Sequence, residues 1–355
     1  MSHPLLKQTL EGRATLSRDE ARALMEHLIS GECPDPDIAA VLLHINARGE
    51  TAEEIAGFVD AMRAAATRVP LDDAERSLLV DTCGTGADLS GTFNISTAAA
   101  LVAAAAGATA GIMVAKHGNR AVTSQSGPAD VLEALGIPIG LSPAEGAAAL
   151  RNHRFAFLHA PSLHPAMKAV MPVRRALGIH TVFHLVGPLS NPAGARAQVL
   201  GVYAARLVPI VAEAMRLLGV HHAFVVHGAT PNGSGMDEIS ISGPTQIAEV
   251  RGGAVTFLQL TPEQVGLVSA PIESLRGGDA TTNAAILRAI FAGERGPRRD
   301  VVLLNAAAVL ITAGVVPASI ADRHQAFRAG IALAASTIDS GAVTALVASL
   351  ARREL

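Results

Sequence analysis

The spacing of hydrophobic positions divides the chain into two parts. Over residues 1–72 the apolar residues recur every three to four positions, which predicts helices and no strand. Two of these helices begin with the residues of a capping box, Ser17 with Glu20 and Thr51 with Glu54. We therefore expect a small N-terminal helical domain over residues 1–72.

From residue 73 onward, short apolar runs alternate with helical runs. Residues 78–82, 110–116 and 137–140 are strand-like, and residues 95–106 are helical. This alternation predicts a larger α/β domain over residues 73–355 with a mostly parallel central sheet. Shorter alternating runs at 238–260 predict an antiparallel addition, and residues 281–355 return to a helical pattern.

Composition narrows the classes of function. Half of the 355 residues are hydrophobic but only 3% are aromatic, which predicts an aliphatic core. The net charge of −3, with both signs interspersed, argues against nucleic acid or an anionic membrane as the main partner.

Compartment is indicated by the cysteines and by the N-terminal residues. Cys33 and Cys83 lie far apart without metal-type spacing, which favours a reducing cytoplasm. Residues 1–12 lack a basic region followed by an apolar stretch, so we expect no signal peptide. The uncharged stretch 95–115 has the length of a membrane span, but Gly107 and Gly111 interrupt it. We expect a buried helix, a turn and a buried strand there.

Small polar residues follow the first predicted strand, in the segment VDTCGTGADLSGTFNIST from Val80 to Thr97. Gly84 and Gly86 allow backbone N–H groups to turn toward an anion, and the start of the next helix adds a favourable dipole. Asn94, Ser96 and Thr97 add side-chain donors. The segment favours phosphate binding, and a plain glycine turn with an Asn or Ser helix cap is the alternative.

A second strand end carries cations. Lys116, His117, Gly118, Asn119 and Arg120 follow a buried apolar run and precede a run of Ser and Thr. Two cations with hydroxyls suit a polyanion, and a solvated basic loop is the alternative.

Residues 164–178 form a third basic segment. Lys168, Arg174 and Arg175 are predicted to lie along one helix, where Arg174 and Arg175 point in different directions. The segment is either a basic surface or a clamp for a substrate carboxylate.

A fourth segment is acidic. Asp237 and Glu238 follow a strand that ends near His227 and a glycine-rich loop. Adjacent carboxylates in such a place can hold one or two Mg²⁺ ions that a phosphate substrate completes, and an acidic turn is the alternative.

These segments, in this order, resemble the anthranilate phosphoribosyltransferases, a family that also contains the pyrimidine nucleoside phosphorylases. The matching stretches are GTGAD with TFNIST, KHGNRAVTSQSG, HPAMK, VRRALGIHTVFHLVGPLSNPA, MDEIS and NAAAVL, and the resemblance covers nearly the whole chain. It implies a helical domain, to which residues 165–185 also contribute, packed on an α/β domain with the active site in the cleft between the two domains. It also implies a homodimer that transfers the phosphoribosyl group of phosphoribosyl pyrophosphate (PRPP) to anthranilate in tryptophan biosynthesis.

The resemblance also implies site residues. Arg174 would face the carboxylate of anthranilate, and Lys116 and Arg174 would be the catalytic residues. Two Mg²⁺ ions would be carried by Ser96, Asp237 and Glu238, and anthranilate would contact Gly84, Asn119, His164 and Arg174. PRPP would be held by Gly84, Ala87, Asp88, Thr92, Asn94, Ile95, Ser96, Thr97, Lys116, His117, Gly118, Asn119, Arg120, Ala121, Val122, Thr123 and Ser124.

The sequence departs from the family pattern at four positions of the site. Ala87 replaces a glycine, Gln125 a cation, Pro128 a serine and His184 an asparagine. Loss of a hydroxyl and a cation near a diphosphate predicts a weaker PRPP site, or a paralogue that uses another acceptor. The retained Asn119 and Arg174 favour an acceptor that bears a carboxylate.

Two other functions are less compatible with these residues. A nucleoside phosphorylase would not need the paired acids, and a non-catalytic nucleic-acid-binding relative would want a basic cleft. For a transfer to an aromatic amine, which is neutral at pH 7, we expect no dedicated general base.

Overall fold

The computed structural model describes residues 4–11, 15–86, 88–121, 125–231, 233, 235–317 and 322–352. The helices in these ranges are α1 (Pro4–Glu11), α2 (Arg18–Ile29), α3 (Asp35–Arg48), α4 (Ala52–Ala65), α5 (Asp73–Ser77), α6 (Ile95–Ala106), α7 (Pro128–Ala134), α8 (Pro143–His153), α9 (Ala160–Leu163), α10 (Met171–Leu177), α11 (Phe183–Leu189), α12 (Leu207–Leu217), α13 (Ala280–Phe291), α14 (Pro297–Thr312), α15 (Arg323–Asp339) and α16 (Ala342–Ala351). The strands are β1 (Leu79–Gly84), β2 (Met113–Gly118), β3 (Phe155–His159), β4 (Ala197–Gly201), β5 (His222–Ala229), β6 (Gly235–Met236), β7 (Thr245–Arg251) and β8 (Ala254–Leu260).

The N-terminal helices are capped as the sequence predicts. Ser17 and Glu20 form a capping box at the start of α2, and Thr51 and Glu54 form one at the start of α4. Glu54 does more than cap, because its carboxylate is fully buried and also accepts hydrogen bonds from the Leu16 N–H and the Arg48 guanidinium. It therefore joins the start of α2, the end of α3 and the start of α4.

The larger part of the chain is built on one sheet with the order β3-β2-β1-β4-β5-β7-β8, and β6 pairs with β5. The first five strands in this order are parallel, and β7 and β8 continue the sheet in antiparallel pairing. The mostly parallel sheet and the antiparallel addition are thereby confirmed. Residues 137–140 form no strand, because they lie in a turn region between α7 and α8 rather than beside another strand.

Helix α6 is the central helix of the α/β part. Its alanines, among them Ala98, Ala100 and Ala103, are fully buried, and α6 packs against β1, α14 and α16. Small side chains allow these backbones to approach closely. The expected helix, turn and buried strand over 95–115 are confirmed. In the described part of the chain no single helix has the length and apolarity of a membrane span, and only the bent pair α15–α16 passes by length and composition.

The N-terminal helices pack on one face of the α/β part. Helix α4 contacts α11 and α12, and two arginines, Arg18 on α2 and Arg63 on α4, donate hydrogen bonds across this boundary. Arg18 donates to the Leu217 carbonyl oxygen at 2.8 Å, and Arg63 donates to the Leu189 carbonyl oxygen at 2.8 Å and 3.0 Å. These contacts hold the helices beside the ends of several strands.

The basic segment between β3 and α11 is not one helix, contrary to the sequence prediction. Lys168 lies in a short 3-10 helix (Pro165–Ala169), whereas Arg174 and Arg175 lie in α10. Pro172 has no backbone N–H to donate to the Lys168 carbonyl oxygen and is tolerated in the first turn of a helix but not in its interior, so one helix does not run from Lys168 through Arg174. The 3-10 helix contacts α2, and α10 contacts α3.

We expect Glu54→Ala to destabilise the protein by about 3–5 kcal/mol, because it leaves the Arg48 cation and the Leu16 N–H unpaired inside the helical part. Glu20→Ala is the matched control, since Glu20 has the same capping-box position on α2 but an exposed environment. Its expected cost is about 1 kcal/mol. Urea unfolding followed by circular dichroism measures both, and equal costs would contradict the role assigned to Glu54.

Candidate functional site

The carboxyl ends of the parallel strands meet at one edge of the sheet. Gly84 at the end of β1 pairs in register with Gly201 at the end of β4, and Gly118 ends β2. Ligands of open α/β sheets bind at this edge. Each of the four segments that the sequence analysis singled out follows a strand of this sheet: the glycine loop follows β1, the cationic loop β2, the basic segment β3 and α9, and the acidic segment β5.

The glycine loop after β1 surrounds the carboxylate of Asp237. The Gly86 N–H donates to Asp237 Oδ2 at 2.7 Å, and the Asp237 N–H donates to Asp88 Oδ2 at 3.2 Å. A Cβ on Gly84 would lie 2.1 Å from Asp237 Oδ2, and one on Gly201 would lie 1.6 Å from the Asp237 carbonyl oxygen. Both positions therefore require glycine so that Asp237 can approach the sheet.

The start of α6 binds the second carboxylate. The Ser96 N–H donates to Glu238 Oε1 at 2.9 Å. Asn94 precedes the helix but its side chain does not cap it: Nδ2 donates to the Ser126 carbonyl oxygen, and Oδ1 accepts from Asn283 Nδ2 at 2.9 Å. The Asn-cap interpretation is therefore wrong, because the Asn94 amide instead joins the loop to α13.

Three further predicted residues lie around this helix start. Ile95 is in the core, and Thr97 is buried with a hydroxyl that has no hydrogen-bond partner among the described residues. Thr92 lies in the loop within 3.2 Å of the Ser90 hydroxyl.

Lys116 lies beneath this loop with only 1% of its surface exposed. Its Nζ donates to the Thr82 carbonyl oxygen at 2.6 Å and to Ser96 Oγ at 3.3 Å. The ammonium also counteracts the effect of burial on the carboxyl groups of Asp81 and Glu238, since it favours their charged forms. The lysine is therefore an internal counter-charge between β1 and α6.

Asp81 is a site residue that the sequence analysis missed as a functional group. It is fully buried, and its two oxygens accept from the His117 N–H at 3.2 Å and from Asn191 Nδ2 at 2.9 Å. Asn191 Nδ2 also donates to the Ala115 carbonyl oxygen. Burial raises the pKa of Asp81 to about 6, which the hydrogen bond from Asn191 and the charge of Lys116 oppose.

The paired carboxylates are poorly solvated. Burial, together with the charges of Asp88 and Glu238, raises the pKa of Asp237 well above its usual value. Burial raises the pKa of Glu238 to about 7, although Lys116 opposes the shift. Burial therefore favours their neutral forms, and a cation bound beside them would favour the charged forms.

The donor set suits Mg²⁺ only if a ligand completes it. Among the described residues, no group of three or more His, Cys, Asp and Glu is arranged to hold a metal ion. Mg²⁺ is commonly held by one or two carboxylates together with water and substrate phosphates. Asp237 and Glu238, with Ser96 beside them, fit an ion that arrives with a polyphosphate.

The loop after β2 contains the other predicted polyanion contacts. The Arg120 guanidinium forms ion pairs with Asp130 and Glu133, both at 2.9 Å, and the Ala121 N–H donates to Asp130 Oδ2. Asn119 Oδ1 accepts from the Arg120 N–H at 2.7 Å. The predicted contacts Ala87, Val122, Thr123 and Ser124 lie outside the described residues.

Arg174 is an arginine without an acidic partner. Its guanidinium lies 5.0 Å from the centre of the Phe183 ring and 3.7 Å from Met171 Sδ, and no described carboxylate pairs with it. Burial lowers the pKa of Arg174 to about 10, so the group stays charged at pH 7. The adjacent Arg175 is exposed. A desolvated guanidinium of this kind can bind a carboxylate through two parallel hydrogen bonds.

Two buried imidazoles, those of His117 and His164, lie beside the C-terminal end of α11, near Gly187 and Ser190. The rings of His117 and His164 are 5.0 Å apart, and each residue is 5% exposed. Burial lowers their pKa values to about 3 for His117 and about 4 for His164. Both rings are therefore neutral at pH 7.

His184, one of the departures from the family pattern, belongs to a small aromatic cluster. Its Nδ1 accepts from the Thr181 N–H at 3.1 Å, and its ring meets His180 edge-on at 5.4 Å. His180 in turn stacks on Tyr203 at 4.2 Å. Burial lowers the pKa of His184 to about 4, helped by the charge of Arg174. The sequence showed that a histidine replaces the usual asparagine at position 184. It did not predict the stacking of His180 on Tyr203, because these residues are brought together only by the fold.

Comparison with known proteins gives a consistent result over the whole chain. Residues 3–66 match the helical bundle domain of a glycosyl transferase family, and residues 76–344 match its a/b domain. An anthranilate phosphoribosyltransferase of Symbiobacterium thermophilum is 49% identical over 337 residues, which are 95% of this chain and 93% of the relative. One of Rhodopseudomonas palustris is 46% identical, over 95% of this chain and 94% of the relative.

Solved structures agree with the sequence relatives. A crystal structure of anthranilate phosphoribosyltransferase from Thermus thermophilus superimposes with a TM-score of 0.88 and 40% identity, over 99% of each chain. The Saccharomyces cerevisiae enzyme in complex with PRPP and Mg superimposes with a TM-score of 0.84 and 26% identity, over 98% of this chain and 96% of that one. The same yeast enzyme in complex with 4-fluoroanthranilate gives a TM-score of 0.81 with 25% identity, over 98% of this chain and 97% of that one.

Proposed function

Because the chain belongs to the anthranilate phosphoribosyltransferases of the glycosyl transferase family, we propose that it transfers the phosphoribosyl group of PRPP to the amine of anthranilate. The products are N-(5-phosphoribosyl)anthranilate and pyrophosphate, and the reaction belongs to tryptophan biosynthesis. One observation carries the assignment: Asp237 and Glu238 accept the Gly86 and Ser96 N–H groups at the carboxyl edge of the sheet. Two adjacent acids that backbone N–H groups hold in place fit a diphosphate that arrives with its cations.

On the PRPP side, the chain supplies a cradle of donors around a negative centre. The loop N–H groups and the start of α6 point toward the carboxylates, and Lys116 adds a positive charge from beneath. Asp237, Glu238 and Ser96 would hold Mg²⁺, which when bound neutralises the charge of the diphosphate. The Gly86 and Ser96 N–H groups are occupied by the two carboxylates, so their part is to hold Asp237 and Glu238 in position before the substrate arrives.

On the anthranilate side, Arg174 would bind the carboxylate. It is desolvated and has no competing acid among the described residues, which favours a charge-assisted bidentate contact. The rings of His117 and His164 are neutral at pH 7, so they add no further positive charge to the site. Asn119 and Gly84 remain proposed contacts of the acceptor.

The reaction needs little covalent help from the protein. The amine nitrogen forms a bond to C1 of the ribose, and the bond from C1 to the pyrophosphate oxygen breaks. The nitrogen then loses one proton to water or to the departing pyrophosphate. We propose that no residue acts as a dedicated general base, and that holding the amine in line with C1 supplies much of the rate.

Other properties are proposals of the same kind. We propose two Mg²⁺ ions, a homodimer, and a division into domains at residues 72 and 73, with residues 165–185 contributing to the helical domain. A cytoplasmic location is supported by Cys33 and Cys83, which are buried and unpaired.

The function is tested by following anthranilate fluorescence with PRPP and Mg²⁺ present and with each omitted in turn. We expect the fluorescence to fall only when all three are present, and chelation of Mg²⁺ by EDTA to stop the reaction. Binding of PRPP without consumption of anthranilate would instead favour a paralogue with another carboxylate-bearing acceptor. Absence of PRPP binding would contradict the proposed function.

We expect Arg174→Gln to raise KM for anthranilate by tenfold or more, because one charged hydrogen-bonding group contributes roughly 1.5–3 kcal/mol. KM for PRPP should change by less than about twofold if Arg174 touches only the acceptor. Arg175→Gln is the matched control on the same helix, with an exposed side chain, and steady-state kinetics measure both. An equal effect of the two variants would contradict the role of Arg174.

A further prediction concerns Pro128, which stands where the family usually has a serine. It begins α7 and packs near Gly118, since a Cβ on Gly118 would lie 3.0 Å from Pro128 Cγ. If the missing hydroxyl weakens PRPP binding, Pro128→Ser should lower KM for PRPP severalfold, up to about tenfold.

The control for this substitution is Pro143→Ser, at the matching first position of α8. We expect Pro143→Ser to leave KM for PRPP unchanged, and thermal unfolding of both variants shows whether a change in stability accompanies either substitution. An unchanged KM for PRPP in Pro128→Ser would contradict the hypothesis of a weakened site at this position.

A further inference from the structure

A cavity lies at the edge of the sheet opposite to the carboxyl edge that holds the candidate site. It has a volume of about 400 Å³ and opens between the amino ends of β1, β4 and β5, the end of β7 and the C-terminal part of α14. Leu79, Ile311 and Ala326 line its apolar wall. This volume is within the usual range of small-molecule pockets, roughly 300–1,000 Å³.

The polar lining of this cavity is basic. Three arginines line it, Arg196, Arg251 and Arg323, together with the imidazoles of His221 and His222. This excess of positive groups is unexpected in a chain whose net charge is −3.

One acidic residue beneath the cavity is already neutralised. Glu249 is 4% exposed and accepts two hydrogen bonds from Arg323, at 2.7 Å and 2.9 Å, and one contact from His222 Nε2 at 2.8 Å. These partners satisfy Glu249 within the protein. It therefore does not cancel the charge of the two remaining arginines.

Those two arginines lack a strong partner. Arg251 has no ion pair and no side-chain hydrogen bond among the described residues. Arg196 approaches Asp73 at 3.6 Å, but Asp73 is 82% exposed and also pairs with Arg76 at 3.2 Å. An exposed pair of this kind contributes little. Arg196 and Arg251 are thus available to a ligand.

We propose that this cavity binds a small organic anion with one carboxylate or phosphate head and an apolar body. The head would meet the guanidinium groups of Arg196 and Arg251, and the body would lie against the apolar wall of Leu79, Ile311 and Ala326. The combination of Arg251, which has no partner among the described residues, and the weakly paired Arg196 with an aliphatic wall selects such an amphipathic anion over a neutral or a purely polar ligand.

This site is separate from the one at the carboxyl edge. Leu79 begins β1 at the cavity, and Gly84 ends the same strand beside Asp237. The 6 residues of this strand separate the two sites by roughly 20 Å. A ligand in the cavity therefore does not occupy the proposed PRPP or anthranilate position.

Binding can be measured with benzoate and phenyl phosphate as probes, and with benzyl alcohol as the neutral analogue. Saturation-transfer NMR titrations would use the Arg174→Gln protein, so that an anion bound at that arginine does not interfere. We expect saturable binding of at least one anionic probe and much weaker binding of benzyl alcohol, and the better probe identifies the head group.

Substitution then locates the bound probe. Adding Arg251→Gln to Arg174→Gln should weaken binding by about tenfold or more, and adding Arg196→Gln should also weaken it. Adding Arg22→Gln, on an exposed part of α2, is the control and should have no effect. Unfolding temperatures of all variants identify any substitution that acts through stability.

The proposal is overturned by any of three results. These are no saturable binding of either anion, equal binding of benzyl alcohol, or equal affinities in folded proteins carrying Arg251→Gln, Arg196→Gln and Arg22→Gln. Because this test does not use PRPP or follow transfer, its failure leaves the proposed function untouched.

Discussion

The buried ammonium group of Lys116 is the constraint on which the carboxyl edge of the sheet depends. A charge with 1% exposure is stable only where oxygens and opposite charges surround it, and here the Thr82 carbonyl, Ser96 Oγ and the nearby carboxyl groups do so. The positions of β1, β2 and α6 are therefore linked through one nitrogen atom. The same link orients the start of α6, whose Ser96 N–H binds Glu238.

Strand β2 divides the site into two electrostatic halves, because successive side chains of a strand point to opposite faces. Lys116 points toward α6 and the acids, whereas the next residue, His117, lies against His164. One half holds the paired carboxylates and a cation, and the other holds the neutral imidazoles of His117 and His164. Asp81 fixes this division, since its carboxylate accepts the His117 N–H and is held by Asn191.

Much of this arrangement could be predicted from the sequence, because it depends on local patterns. The capping box of Thr51, the glycine at position 84 and the adjacent acids at 237 and 238 are each visible within a few residues. For Gly84 the sequence indicated a glycine turn but not the reason for it. The carboxylate of Asp237, 153 positions further along the chain, occupies the space that a side chain at position 84 would need. Asn283 and Asn191 carried no signal, because a single polar residue becomes part of a site only through contacts that tertiary structure creates.

The prediction of one helix over the basic segment 164–178 was wrong, and a single nearby residue explains why. The net charge, in contrast, does not show where the charged residues lie. Pro172 separates Lys168 from Arg174, and because a proline has no N–H for the carbonyl four residues before it, its position in the sequence is enough to predict the break. Net charge, by contrast, averages over the molecule, so it does not reveal how charge is distributed over the sheet. Acids are concentrated at the carboxyl edge around Asp237, and unpaired guanidinium groups at the amino edge around Arg251. A chain with a net charge of −3 can therefore contain one region of concentrated acids, where cations would accompany an anionic substrate, and one region of guanidinium groups, where the proposed ligand is an anion that needs no cation.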